Sequence, residues 1–330
     1  MTPSACKHVA FVLALFPTTA LSPCVSLAEG AQASFEVPER PFLIKPYIEV
    51  PGLNLELRSL TSDKFVNWTP NYRAQTGLSV SYQGLIGVSA SAKGEISRED
   101  AALKGRSDYT DFRFRFPWRR ISIEFGYQSL KGFFAENTQD FAPGNGQYLL
   151  RPDLILQSKY VGVTYTVEPD RYSLAAVFDQ SERQTTSGGT WLLTMHAADT
   201  LFEDQGGTPL IPVELQSHFP TESQITKGEF LSITMGGGYG HLWTLGETGY
   251  AFAQLLASVG AQIGRSSDAT RQFSESETAG FAKLDLGIGS NGKVHVTGLL
   301  LSIDQTSNRT AETELGKRNL LVHLFYGLRL

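Results

Sequence analysis

The sequence predicts an all-β fold, namely an antiparallel transmembrane β-barrel of about 14 strands, with 12 strands as the alternative count. Three features support this prediction: an N-terminal export signal, a long series of alternating segments, and an apolar last strand. In such a barrel, lipid-facing apolar residues alternate with lumen-facing polar residues along every strand. The mean hydropathy of -0.14 is compatible with this alternation, because the polar half of each strand offsets the apolar half.

The first 33 residues have the organisation of a secretory signal peptide. Lys7 and His8 precede an apolar run at 9–16, and an A-x-A pattern of small residues ends at Ala33. The apolar run is too short to span a bilayer as a helix, which needs about 20 residues. Cleavage after Ala28 and cleavage after Ala33 both fit, and residues 1–33 are assigned to the signal peptide.

The composition excludes several other classes of protein. Both cysteines, Cys6 and Cys24, lie within the predicted signal, so a disulfide-stapled scaffold is not expected. Charged residues make up 18% of the chain, and no later apolar run reaches the ~18 residues of a membrane helix. The formal net charge is -5 without a basic patch, so no nucleic-acid partner is predicted.

Residues 34–51 are predicted to form an extended periplasmic segment that leads into the barrel. This stretch contains four prolines, at positions 38, 41, 46 and 51. Proline has no backbone N–H and therefore disfavours a central strand. The barrel is accordingly assigned to residues 52–330.

Thirteen segments with period-2 alternation follow this lead-in segment. They are 53–58, 73–82, 86–93, 111–116, 121–128, 160–167, 172–178, 189–199, 229–243, 249–263, 278–289, 292–303 and 320–330. Their connections alternate between short and long, as in outer-membrane barrels, except at 199–228. A closed barrel with both ends in the periplasm needs an even number of strands. An additional strand at 208–216 gives about 14, whereas 12 follows if a weak segment lies outside the wall.

The last strand has a clear two-faced pattern. Its predicted lipid-facing residues are Leu320, Val322, Leu324, Tyr326, Leu328 and Leu330. A barrel that closes through this strand leaves no exposed apolar edge. The expected partners are therefore outer-membrane lipid and, through the C-terminal strand, the barrel-assembly machinery. A buried C-terminal strand of a soluble sandwich is the alternative interpretation.

Charged residues on the polar faces predict a network in the lumen. Its predicted members are Asp111, Arg113, Arg115, Glu124, Lys159, Lys283 and Asp285, and Arg58, Arg73 and Lys93 are assigned to the lumen as well. Arg113 and Arg115 on one strand are expected to face Glu124 on the next. Such pairs brace a narrow lumen or set the selectivity of a wider aqueous path, and bracing is the preferred interpretation.

The aromatic and glycine-rich segment 131–156 is predicted to be a long extracellular loop. Two interpretations stay open for it. The loop either folds into the lumen or binds a ligand at the surface, because long loops are often functional, or it stays solvated and mobile.

No recognisable catalytic or metal-binding pattern appears in the sequence. A phospholipase-type site on one strand would place Ser two residues after His, but no histidine is followed in this way. The nearest case is His295 with Thr297, and threonine is a poor substitute. No Asp precedes a His by two residues, and His, Asp and Glu do not cluster as metal ligands do. No enzyme activity, metal or cofactor is therefore predicted.

Several short motifs are spread along the predicted strands and turns. They are Trp68-Thr69-Pro70-Asn71, Ser81-Tyr82-Gln83-Gly84, Lys131-Gly132-Phe133-Phe134, Gly189-Thr190-Trp191-Leu192-Leu193, Leu210-Ile211-Pro212 and Gly237-Gly238-Tyr239-Gly240. In these motifs the chain resembles a bacterial outer-membrane barrel family known only as a domain of unknown function, DUF4421. The resemblance spans most of residues 45–330 and implies an outer-membrane barrel, without implying an activity or site residues.

The sequence therefore predicts a non-enzymatic protein of the bacterial outer membrane, either a narrow channel or a structural envelope barrel. An outer-membrane lipid-modifying enzyme is one alternative. The other alternative is a soluble periplasmic β-sandwich that binds apolar ligands.

Overall fold

A computed structural model describes most of the chain beyond the predicted signal peptide. The described residues are 34–82, 86–142, 146–219, 222–268, 272–309 and 312–330. The predicted signal peptide and both cysteines lie outside them.

β-Strands dominate the described chain, as its period-2 alternation predicts. The strands are β1 (Phe35–Glu36), β2 (Phe42–Ser59), β3 (Phe65–Thr69), β4 (Gln75–Tyr82), β5 (Ile86–Lys93), β6 (Asp108–Pro117), β7 (Ile121–Ala135), β8 (Leu149–Thr166), β9 (Arg183–Gln184), β10 (Gly188–Asp204), β11 (Lys227–Leu245), β12 (Gly249–Ser267), β13 (Gln272–Asn291), β14 (His295–Arg309) and β15 (Thr313–Arg329). The helical pieces are α1 (Arg98–Lys104), α2 (Thr138–Phe141), a π-helical turn (Ala175–Asp179) and a 3₁₀ turn (Gln216–His218). Within the described ranges, none of these helices has the length and apolarity that crossing a membrane requires.

Antiparallel pairing joins the strands into a closed ring. β15 returns to β2 over most of its length, for example with Leu320 opposite Gly52. Near one end the ring runs through β4, β5 and β6 and contains 12 strands; near the other, β3 joins β2 directly to β7 and the ring contains 10. We call the first the turn end, because the tight connections 118–120, 246–248 and 292–294 lie there, and the opposite end the loop end. This ring confirms the predicted antiparallel barrel.

The predicted count of about 14 strands is not confirmed, and the alternative count of 12 matches the ring at the turn end. Residues 172–178, predicted as a strand, instead overlap the π-helical turn Ala175–Asp179. Residues 208–216, assigned to an additional strand, form turns that lead into the 3₁₀ turn. No strand is needed there, because β10 and β11 pair directly with each other.

The wall begins earlier than predicted. β2 starts at Phe42, so residues 42–51 of the predicted lead-in segment belong to the barrel. Pro46 is tolerated because the pairing of β2 with β15 is interrupted between Ile44 and Tyr47, where proline has no N–H to donate. The predicted loop at 131–156 is also too long, since β7 and β8 extend into it and leave 136–148 as the connection.

The outer face of the wall is apolar. On the last strand, the exposed outward residues are Leu320, Leu324, Tyr326, Leu328 and Leu330, at 37–54% exposure. Val322 is half-buried on the same face. The strand therefore presents the predicted apolar row to the outside of the barrel.

The apolar belt has a height suited to a bilayer. On β11 it runs from Trp243 to Leu231, and Glu229 follows. With a rise of about 3.3 Å per residue and a tilt near 40°, this stretch spans roughly 30 Å, about the thickness of a hydrocarbon core. Exposed aromatic residues gather toward the turn end, as in an interfacial girdle. They are Phe42, Tyr82, Trp118, Tyr165, Trp191, Tyr239, Trp243 and Tyr326.

Candidate functional site

The described residues between β10 and β11, 205–219 and 222–226, fold into the lumen from the loop end, and we call them the loop-end plug. Its apolar side chains pack against inward-facing residues of the wall. The buried cluster contains Leu53, Leu55, Leu57, Val66, Trp68, Leu130, Phe133, Ala135, Leu154, Leu156, Phe202, Leu210, Ile211, Leu215, Phe219, Ile225, Phe230 and Leu315. Leu55, Trp68 and Phe219 are fully buried in it. Apolar packing therefore fills the lumen at the loop end.

Arg151 on β8 attaches the loop-end plug to the wall. Its guanidinium lies 2.8 Å from Asp204 Oδ2 and donates to the carbonyl oxygens of Pro209 at 2.7 Å and Thr208 at 3.0 Å. The side chains of the charged pair are 7% and 3% exposed. The guanidinium carbon also lies 5.3 Å from the ring centre of Trp68. A buried pair with this many partners fixes the path of the plug.

The segment between β8 and β10, residues 167–187, enters the lumen from the turn end, and we call it the turn-end plug. Tyr172, Ala176 and Val177 are buried in a second apolar cluster that includes Leu192 of the wall. Gly240 permits this close packing, because a Cβ atom there would lie 2.7 Å from Tyr172 Cζ.

Polar groups of the wall hold the tip of the turn-end plug. Lys45 Nζ donates to the Asp179 carbonyl oxygen at 3.0 Å and to Gln180 Oε1 at 2.7 Å. Arg329 donates to the Gln180 carbonyl oxygen and, at 2.6 Å, to Asn291 Oδ1. Gln180 has a φ of 54°, a left-handed conformation that residues other than glycine seldom adopt. Side-chain contacts thus hold the tip in an unusual backbone conformation.

The N-terminal end of the described chain is attached to the same plug. β1 pairs with β9, with Phe35 opposite Gln184. The N–H of Thr185 donates to the carbonyl oxygen of Ser34 at 2.7 Å. Residues 34–36 and the turn-end plug therefore form one assembly at the turn end.

A polar cavity lies between the two plugs. Its two compartments measure about 200 Å³ and about 150 Å³. The residues that line both compartments include Arg113, Arg115, Glu124, Phe178 and Lys283. Charged groups of both signs therefore meet where the compartments join.

Six of the seven residues predicted for the lumen network line this cavity. They are Asp111, Arg113, Arg115, Glu124, Lys283 and Asp285. Arg113 NH2 lies 2.5 Å from Asp111 Oδ2, and Lys283 Nζ lies 3.7 Å from Asp285 Oδ2. Arg115 binds Glu124, its partner across β6 and β7, through NH2 and, at 3.0 Å, through Nε. Each cation of this set thus lies near a carboxylate.

Lys159 is the exception, and its assignment to the lumen is wrong. It is exposed on the outward side of β8, which it shares with Val161 and Val163. Arg58 also lies outside the apolar cluster of the lumen, 2.6 Å from Glu56. Arg73 is exposed and pairs with an aspartate of α1 at 2.8 Å. The side chain of Lys93 lies outside the described part of the structure.

The cavity also contains an aromatic stack that was not predicted from the sequence. The His196 ring lies between the rings of Tyr160, at 5.4 Å, and Phe281, at 5.1 Å. The charged groups near it are Glu124, Lys283, Asp304 and Lys317. Phe281 lies on the same face of β13 as Lys283, and this spacing could have indicated that Phe281 points into the lumen. The contact between Phe281 and His196, which lie on different strands, is not visible in the sequence.

Two further histidines, His295 and His323, lie in different settings. His295 lies on the outer face, with its Nδ1 2.8 Å from the hydroxyl of Tyr326. His323 lines the smaller compartment, with its Nδ1 3.4 Å from Glu49 Oε2. In the described ranges, no group of three or more His, Cys, Asp or Glu residues is arranged to hold a metal ion.

One carboxyl group of the turn-end plug has a shifted pKa. Burial raises the pKa of Glu182 above its usual value. Two weaker effects oppose this shift, namely the hydrogen bond that the Ser173 hydroxyl donates to the carboxylate and the positive charge of the nearby Arg119. Protonation of Glu182 therefore favours the packed arrangement of this segment.

A closed antiparallel barrel with an apolar outer belt and a polar interior has the fold of outer-membrane β-barrel proteins. Over residues 38–329 the chain matches the family described as "Domain of unknown function (DUF4421)", and it belongs to this family. The resemblance noted in the sequence is thereby confirmed.

A search of curated proteins gave no match. Solved structures with similarity to this chain include the outer membrane protease OmpT from Escherichia coli, at 6% identity and a TM-score of 0.42, covering 91% of this chain and 99% of that chain. The P. putida toluene transporter TodX has 8% identity and a TM-score of 0.29, covering 88% and 90%. The attachment invasion locus protein Ail of Yersinia pestis has 6% identity and a TM-score of 0.22, covering 87% and 99%.

Proposed function

We propose that this chain is a non-enzymatic barrel of the bacterial outer membrane whose lumen is closed at rest. The supporting observation is the apolar cluster at the loop end, in which Leu55, Trp68 and Phe219 are fully buried. A water-filled channel would expose such side chains, at a cost of about 1.5–3 kcal/mol each. A structural or surface-exposed envelope role fits this lumen better than free diffusion of solutes.

Lipid of the outer membrane is the proposed partner of the outer face. The belt between Trp243 and Leu231 supports this, as does the change to charged residues at Glu229. The turn end is assigned to the periplasm and the loop end to the outside, because barrels of this class have short periplasmic turns.

The barrel-assembly machinery is the proposed partner of the last strand during folding. β15 closes the ring on β2, and Phe42 and Leu330 exchange backbone hydrogen bonds of 2.9 Å and 3.4 Å. Before closure this edge and its apolar row would be unpaired, and strand addition is a common way to recognise such an edge.

The charged residues of the lumen are assigned a bracing role. Arg115 supports this assignment, because it contacts Glu124 on the neighbouring strand and Asp179 on the turn-end plug, at 3.6 Å from the latter. A pair that links two elements restrains both of them. The charges therefore contribute to closure instead of lining a continuous path.

The alternative function is enzymatic modification of lipid, and a substitution of His295 tests it. This residue lies on the outer face beside Tyr326. Lipid A and phospholipid composition should be the same in cells that express the wild type and in cells that express His295→Ala. A change that depends on His295 would overturn the non-enzymatic proposal.

Single-channel recording in planar bilayers tests the closed lumen. The wild type is expected to give no sustained conductance. Replacing 208–224 by a short Gly-Ser linker removes the loop-end plug, and replacing 170–185 removes the turn-end plug. Each single replacement should stay closed, because the other plug remains, and the double replacement should conduct.

The two contradictory outcomes of this experiment are distinct. Sustained conductance of the wild type would show that the lumen is open. A double replacement that is folded but does not conduct would show that the plugs are not what closes it.

A further inference from the structure

Phe178, at the tip of the turn-end plug, lies between two cations of the wall. The guanidinium carbon of Arg115 is 4.7 Å from the ring centre, and Lys283 Nζ is 5.6 Å from it. The ring of Phe252, on the wall, lies 5.8 Å from the same ring. An aromatic group thus occupies a slot formed by two positive charges and one aromatic wall residue.

Asp179, the next residue of the plug, adds a carboxylate to the same place. Its Oδ1 lies 3.6 Å from Arg115 NH1, which is too long for a strong hydrogen bond. Its Oδ2 is buried without a hydrogen-bond partner in the described structure. The plug therefore presents a ring to both Arg115 and Lys283 and a carboxylate to Arg115, and the hydrogen-bonding capacity of this carboxylate is poorly satisfied.

The two cations retain donors for an anion. Glu124 engages the Nε and NH2 atoms of Arg115, which leaves NH1 directed toward the plug. Lys283 Nζ is 3.7 Å from Asp285 and forms no side-chain hydrogen bond in the described structure. Both residues line both compartments of the cavity. An anion at this junction would therefore meet two charged donors with free capacity.

The geometry points to a binding site for a small aromatic carboxylate at the junction of the two compartments, which Phe178 and Asp179 of the turn-end plug occupy at rest. The ligand's carboxylate takes the place of Asp179 beside Arg115 NH1, and Lys283 Nζ of the same compartment is the second cation. Its ring takes the place of Phe178 against Phe252. The cavity supplies the space beside this slot.

The turn-end plug is built in a way that permits this exchange. Its tip is held by side-chain donors, Lys45 and Arg329, and Gln180 has the left-handed conformation noted above. Such a conformation persists only while its contacts hold it, so losing them favours withdrawal of the tip. This inference rests on the proposed closed lumen, because in an open lumen the plug would not cover the site.

Equilibrium titration with benzoate tests the inference on the full chain in detergent. The double variant Phe178→Ala/Asp179→Asn empties the slot and should bind benzoate at least tenfold more tightly than the wild type. Adding Lys283→Gln should weaken that binding at least tenfold, and Lys283→Arg should preserve it. Lys159→Gln, which removes a lysine from the outer face, is the matched control and should have no effect.

Two further probes separate the parts of the ligand. Benzyl alcohol, which lacks the carboxylate, and cyclohexanecarboxylate, which lacks the aromatic ring, should both bind more weakly than benzoate. Equal binding of cyclohexanecarboxylate would overturn the aromatic assignment. If the double variant does not fold on an unboiled gel, Asp179→Asn alone keeps the ring in place and should still raise benzoate affinity over the wild type.

The inference is overturned if a folded variant with an emptied slot shows no benzoate binding up to millimolar concentration. It is also overturned if Lys283→Gln leaves the binding unchanged. Conductance measured without ligand tests the closed lumen separately, so failure of one proposal is distinguishable from failure of the other.

Discussion

Replacing Arg151 by methionine is expected to destabilise the barrel strongly through the loop-end plug. Methionine provides an unbranched side chain in place of the aliphatic stem of arginine but carries no charge. Asp204 then stays buried without its partner, and the carbonyl oxygens of Thr208 and Pro209 lose their donors. Arg151→Met thus changes one side chain but leaves three wall and plug groups unsatisfied.

The magnitude follows from the burial of the pair. With side-chain exposures of 7% and 3%, Arg151 and Asp204 belong to the buried class, for which removing one partner costs about 3–5 kcal/mol. The exposed pair of Arg58 and Glu56 provides the matched control. Its side chains are 41% and 34% exposed, so Arg58→Met should cost about 0–1 kcal/mol.

Guanidinium unfolding of the protein refolded in lipid vesicles measures both costs. Tryptophan fluorescence is a suitable signal, because Trp68 lies 5.3 Å from the Arg151 guanidinium. The double variant Arg151→Met/Asp204→Leu should recover most of the lost free energy of unfolding, since no unpaired charge remains. The reasoning is refuted if Arg151→Met costs no more than Arg58→Met, or if the double variant is less stable than the single one.

Three further predictions use the same unfolding assay. Val163→Arg places a charge on the lipid face and should lower the free energy of unfolding by about 2–4 kcal/mol near mid-membrane. Thr164→Arg, at a position that lines the cavity, should cost far less, and equal losses would contradict the assigned faces. Phe219→Ala removes a fully buried ring of the loop-end plug and should cost about 3–5 kcal/mol, so a loss below 1 kcal/mol would argue against tight packing there. Burial raises the folded-state pKa of Glu182, so the stabilising contribution of its protonated form is complete below the ordinary carboxyl pKa and is lost as pH rises through the raised pKa. The wild type should therefore lose stability relative to Glu182→Gln over that pH window. Parallel pH profiles of the two proteins would exclude this linkage.

The sequence predicted the wall well wherever one face meets lipid and the other meets a polar cavity. The last strand is the best case, because Leu324 and Tyr326 alternate with His323 and Phe325 and the exposures follow that alternation. Arg115 and Glu124 were also paired correctly, since short hairpins fix which residues face each other across neighbouring strands.

The prediction failed where the lumen is filled. Alternation separates two faces but does not say which one points inward, and Leu55 and Leu57 face the apolar loop-end plug while Arg58 faces out. The error at Lys159 is one of strand parity, because Lys159 lies two residues before Val161 and four before Val163 and therefore shares their outward side. Near the loop end, the usual rule of apolar out and polar in is therefore reversed.

The strand count failed for a related reason. Tyr172 and Ala176 alternate with polar or small residues as a strand would, yet both are buried inside the barrel on the turn-end plug. Periodicity alone therefore cannot distinguish a short strand from a buried turn of the same length. Plugs depend on contacts between distant parts of the chain, and these contacts leave no local signal.

Heat-modifiable migration on SDS gels tests the central claim most directly. Cells are separated into outer-membrane and soluble periplasmic fractions, and the fraction that contains the protein is run boiled and unboiled. A closed, lipid-embedded barrel should stay folded in cold SDS and migrate at a different apparent mass from the boiled sample. Identical migration, with the protein recovered in the soluble periplasmic fraction, would contradict the account and favour a secreted β-sandwich.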